Sequence, residues 1–127
     1  MPAQRSMRFP ADLAYVASAR DFAAVTADDL GATVDRGDLA LIVGELAANA
    51  AEHQHGEAEL VVRVHPDGGV DIELVDPDPT IPAPMQSEPD DPDGHRGLFL
   101  VSVISHSWGV LPEGPGKRVW ARLAPAR

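Results

Sequence analysis

The chain has 127 residues, no cysteine and a formal net charge of −10, which fits one domain able to bury a real core. It excludes disulfides, thiolate metal sites and a cysteine nucleophile, and it speaks against binding a nucleic-acid backbone or an anionic membrane surface, both of which need a basic face. No apolar run reaches the ~18 residues of a membrane span, and the N-terminus lacks the layout of a signal peptide, so a soluble cytoplasmic protein is expected.

Residues 1–8 read as a leader, closed by a short strand at Arg8 and Phe9 that Pro10 stops. Leu13, Val16, Ala17, Ala23 and Ala24 predict a first helix within residues 11–30, with Asp28, Asp29 and Gly31 at its end. In the second helix Leu39, Ile42, Val43, Leu46, Ala47 and Ala50 recur at i, i+3, i+4, i+7, i+8 and i+11, the apolar stripe of an amphipathic helix. Asp35 or Asp38 can cap its start, and Gly56 stands near its C-cap.

Glu45, Asn49 and His53 stand four residues apart on that helix. They form a polar stripe roughly a quarter turn from the apolar one. A carboxylate and a carboxamide one turn apart can share a ligand, either an oxygen-seeking cation such as Mg²⁺ or a water. Taken alone, an E-x-x-x-N pattern is short and equally suits a solvated helix face.

Leu60, Val62 and Val64 alternate with polar neighbours, as do Val70, Ile72 and Leu74, and Pro66-Asp67-Gly68-Gly69 lies between them. This predicts a β-hairpin with a glycine-rich turn. Residues 76–96 hold many prolines together with Glu88, Asp90, Asp91 and Asp93. A loop of that length inside a compact domain is read as a lid. A buried helix begun at Gly97 follows, then two strands at residues 107–111 and 118–123 and a tail. Trp108 and Trp120 read as core or sheet-face aromatics. His55, His65, His95 and His106 show no metal-ligand spacing, so no structural metal is expected. The whole predicts a single α+β domain, residues 1–127, as a two-layer sandwich. Its sheet would be mixed but mainly antiparallel, with helices on one face.

This order of helix, helix with E-x-x-x-N, hairpin, Asp-led loop, Gly-led helix and hairpin resembles the ATP-binding superfamily shared by gyrase, histidine kinases and MutL, the GHKL or Bergerat fold. Within it, the chain looks like the small stand-alone anti-sigma regulatory factors with serine/threonine kinase activity of Gram-positive, actinobacterial type. The resemblance runs from about Phe9 to Leu123. It is carried by residues 44–53, by Arg96-Gly97-Leu98-Phe99-Leu100-Val101, by Trp108-Gly109-Val110 and by Gly116-Lys117-Arg118-Val119-Trp120.

The resemblance implies ATP and Mg²⁺ as cofactors. Asn49 would coordinate the Mg²⁺ that bridges the phosphates, and Glu45 would act as general base or orient the attacking group. Asp76 would accept a hydrogen bond from the adenine amino group; an ordinary turn-starting Asp before Pro77 is the other reading. Gly97 and the amide of Leu98 would meet phosphate oxygens at a helix N-terminus. Arg96 is either a phosphate ligand or a solvated lid charge. The implied partners are a sigma factor, an anti-sigma antagonist, or both, and a homodimer is the implied assembly.

The departures from the family pattern define a second reading. The family's Asp-x-Gly-x-Gly is Asp76-Pro77-Asp78-Pro79-Thr80 here, and its Gly-x-Gly-Leu is His95-Arg96-Gly97-Leu98. Holding another residue in a left-handed conformation costs about 1–2 kcal/mol, or about tenfold in affinity per site. Where the last family motif ends in Thr, this chain has Arg118, or Lys117 beside it. The chain is therefore either an ATP-dependent kinase of an anti-sigma antagonist, or a degenerate module that regulates by protein contact alone. An unrelated small enzyme using Glu45 and His53 is a third option, without further support.

Overall fold

The computed structural model describes residues 2–53, 56–79 and 96–126. In chain order they form β1 (Ala3–Pro10), a 3-10 turn (Leu13–Tyr15), α1 (Val16–Asp29), α2 (Arg36–His53), β2 (Glu57–Val64), β3 (Val70–Asp76), α3 (Arg96–Ile104), β4 (Ser107–Glu113) and β5 (Gly116–Leu123). The five strands make one sheet in the order β1-β2-β3-β5-β4. Each neighbouring pair is antiparallel, so the expected mixed sheet is an antiparallel one among the described residues. The helices cover one face, which gives the predicted two-layer α+β sandwich.

The expected leader is corrected. Residues 3–8 belong to an edge strand that pairs with β2 along its length, from Ala3 opposite Val64 to Pro10 opposite Glu57. Its apolar content is only Met7 and Phe9 on the core side, while Arg5, Ser6 and Arg8 are exposed. Exposed charge on an edge strand discourages pairing with other chains, and it also hides the strand's period-2 signal. Of the expected lid, only residues 76–79 and the backbone of Arg96 are described.

The core forms where the α2 stripe meets the sheet. Leu39, Ile42, Val43, Leu46, Ala47 and Ala50 are all at most 2% exposed. Beneath them the register lines up Met7, Leu60, Leu74, Val119 and Val110 as one row across all five strands. The side of α1 turned inward carries Ala19, Ala23 and Ala27, each fully buried, together with Thr26 at 1% exposed. Such small side chains let two helices lie close together.

The β2–β3 turn needs its glycine for two reasons. Gly68 has φ +94°, and a Cβ there would lie 2.4 Å from the Thr33 hydroxyl. Its carbonyl also accepts the Thr33 N–H at 3.0 Å, tying the turn to the α1–α2 connection. Among the described residues no helix is long and apolar enough to cross a membrane.

Candidate functional site

Glu45 and Asn49 occupy successive turns of α2 and are half-buried. Leu46 and Ala50, next to them on the helix, are buried in the core, so the polar pair sits at the margin of the buried stripe. Gly44 is buried, and Arg20 of α1 lies against it: a Cβ there would be 3.1 Å from the guanidinium. A cation thus packs beside the start of the Glu45–Asn49 stripe. His53 is the last residue of α2, and its side chain lies outside the described residues.

Asp76 ends β3. Gly56, just past α2, lies against Pro77, so the C-terminal end of α2 and the C-terminal end of β3 meet at the same end of the sheet. Asp76 is 2% exposed. Its Oδ1 accepts the Asp78 backbone N–H at 2.9 Å. That contact is the Asx turn expected of an Asp at a turn start. Its Oδ2 lies 3.2 Å from Lys117 Nζ, and the same ammonium donates to the Asp78 carbonyl at 2.7 Å.

Lys117 is the direct cross-strand neighbour of Asp76. Because side chains alternate faces along a strand, Lys117 points to the helix side with Val119, Ala121 and Leu123, and Arg118 points away. Of the two residues at the end of the last family motif, it is therefore Lys117 that faces Asp76. The one signal in the sequence is a lysine at the inward phase of β5, among Val119, Ala121 and Leu123, and it does not name the partner.

Gly116 seats the pair. A Cβ there would lie 1.9 Å from the Asp76 carbonyl oxygen and 2.7 Å from Pro77 backbone atoms. Relief requires the strands to part, because no flexible side chain is available to yield. Gly116→Ala is expected to lower the unfolding free energy by about 1–3 kcal/mol or more, read as a lower urea midpoint.

Arg118 belongs to a lattice of charges on the helix-free face. It pairs with Glu73 and, at 3.0 Å, with Glu113. Arg63 reaches Glu73 at 3.0 Å, and Asp71 takes Arg122 at 2.7 Å and His65 at 2.8 Å. Burial pushes the Asp71 carboxyl up, but the Arg122 and His65 contacts outweigh it and hold the group below its ordinary value. Trp120 lies over Gly109, where a Cβ would sit 2.9 Å from the indole nitrogen. It is a sheet-face aromatic, while Trp108 packs against the core.

Arg96, Gly97 and Leu98 form the first turn of α3; their side chains lie outside the described residues. Among the described residues no cluster of three or more His, Asp or Glu could hold a metal. Glu45 and Asn49 on α2 and the N-terminus of α3 are the places where the resemblance would put the phosphate side of an ATP site. At the end of β3, each Asp76 oxygen has a partner within the chain and the residue is enclosed.

An antiparallel sheet covered on one face by helices, with an acid–amide pair on the central helix and an Asp at the end of β3, defines a class of protein. The chain belongs to the histidine kinase-like ATPase domain family, whose profile matches residues 9–123. Among solved structures it is similar to the RsbU and RsbW domains of Rv1364c from Mycobacterium tuberculosis, with a TM-score of 0.69 and 16% identity. That match covers 98% of this chain and 33% of the other, so this chain spans about a third of its length. At this identity the likeness is one of fold. A search of curated proteins finds no significant match.

Proposed function

We propose that this protein is a cytoplasmic anti-sigma regulatory factor that works by binding a partner protein, either a sigma factor or an anti-sigma antagonist, with nucleotide recognition weakened on the base side. The observation that carries this reading is the enclosed Asp76 carboxylate, 2% exposed and held by Lys117 and the Asp78 amide. The missing glycines of both nucleotide motifs agree with it. Membership of the histidine kinase-like ATPase family and the likeness to a structure containing an RsbW domain support the choice of partner class.

The test mixes the full chain with sigma factors and antagonists from its own genome, with and without Mg²⁺-ATP. A complex whose Kd changes less than tenfold on adding Mg²⁺-ATP is the expected result. A complex that requires the nucleotide would overturn the reading.

Retention of Glu45 and Asn49 on one stripe favours a second reading, an ATP-dependent serine/threonine kinase of the antagonist. In that reading Asn49 and the first turn of α3, with Arg96, Gly97 and Leu98, hold the Mg²⁺-phosphates, and Glu45 is the base. Transfer of labelled phosphate to the antagonist, lost in Glu45→Gln and in Asn49→Ala, is the outcome that would establish it.

A further inference from the structure

We propose that Lys117 is a built-in occupant of the base-recognition position: its ammonium stands against Asp76 where the amino group of an aminopurine would have to sit, and it thereby sets the protein's nucleotide affinity. The inference rests on the reading of Asp76 as the base-side residue.

The geometry is that of a filled site. Lys117 and Asp76 side chains are 3% and 2% exposed, with 3.2 Å between Nζ and Oδ2. The ammonium has three N–H donors, and two of them are directed at Asp76 and at the Asp78 carbonyl. The second carboxylate oxygen is taken by the Asp78 amide. A cleft of about 380 Å³ touches Asp76 and Pro77 but opens toward Arg8, Glu57 and Glu113 and includes neither Lys117 nor Asn49, so the carboxylate itself is enclosed on the lysine side.

An exocyclic amine and an ammonium ask the same thing of a carboxylate, namely an acceptor for N–H. The lysine makes this contact from its own strand, at a cross-strand distance fixed by Gly116, and with a full positive charge. A neutral amine arriving from solution competes with it for Oδ2. The displaced ammonium would also leave behind the Asp78 carbonyl it now satisfies. Lysine carries its charge on a flexible four-carbon stem, so the block is a competition for Asp76 and not a fixed wall.

The experiment titrates adenosine, Mg²⁺-ATP and inorganic triphosphate into the parent chain and two variants, with circular dichroism to verify folding. Lys117→Thr removes the ammonium and keeps a small polar group. The double variant Asp76→Asn, Lys117→Met removes both charges, so it does not bury an unpaired one, and an Asn can still pair with an adenine edge. The expected result is that both adenosine and Mg²⁺-ATP bind at least tenfold tighter to a folded variant than to the parent, while triphosphate binding stays within twofold.

If neither folded variant gains adenosine affinity, the proposal is overturned. The triphosphate arm then says what else fails. Triphosphate bound by all three proteins leaves the phosphate side standing, and triphosphate bound by none removes the nucleotide cleft altogether. A parent that binds adenosine as tightly as the variants overturns both the block and the weakened base side, whereas the partner-binding assay is independent of either result.

Discussion

Lys117→Met is expected to lower the unfolding free energy by about 3–5 kcal/mol, the cost of leaving a buried carboxylate without its counter-charge. The substitution keeps most of the side-chain volume, so little of the loss comes from a cavity. The Asp76 carboxylate would remain enclosed, with the Asp78 amide as its remaining partner among the described residues. Combining it with Asp76→Asn should restore most of the stability, because the amide oxygen still accepts the Asp78 N–H and no charge is buried. Replacing both members of a buried pair is often neutral or better, whereas removing one is not. Urea unfolding of the parent, both single variants and the double variant closes the cycle. A loss below about 1 kcal/mol in Lys117→Met would mean that the pair is solvated, as exposed ion pairs are.

The second large effect is expected at Leu46→Ala. Leu46 is 1% exposed and lies on the apolar stripe of α2 beside Glu45. Removing a buried leucine side chain costs about 2–5 kcal/mol, made up of lost transfer energy and the cavity left behind. The site of the loss also matters. The stripe is what holds α2 on the sheet, so the same change should loosen the helix that carries Glu45 and Asn49. The expected reading is a lower urea midpoint together with faster amide exchange along α2. Unchanged exchange in α2 with reduced global stability would separate the packing role of Leu46 from any role in positioning the polar stripe.

The stripe of α2 and the alternation of β2 and β3 were legible because each repeats a period against a buried face over several turns or residues. β1 was not, since only Met7 and Phe9 mark its inner side and arginines sit between and before them. The strand order was also hidden. β3 pairs with β5 and not with β4, the next strand in the chain, and nothing in the local pattern distinguishes these partners. At the candidate site, the sequence identified Glu45, Asn49 and Asp76 as residues of interest. It could not show that Asp76 is paired with a lysine 41 positions away. That contact depends on register, and register is a property of two strands together.

The position of β5 bears on the order in which the molecule can be completed. It is the latest of the five strands in the chain, yet it lies between β3 and β4. While the polypeptide emerges from the ribosome, β2 and β3 can pair as a hairpin and β1 can join them across the two-helix connection, but β3 remains an open edge until β5 arrives. β4 likewise has no partner among the other strands. Throughout that interval Asp76 can stay hydrated, because the residue that will neutralise it has not yet been made. Closure of the sheet and burial of the charge therefore coincide in one late, non-local step. Such a step is expected to be slow relative to helix formation, since the closure of a long loop must precede the contacts that reward it.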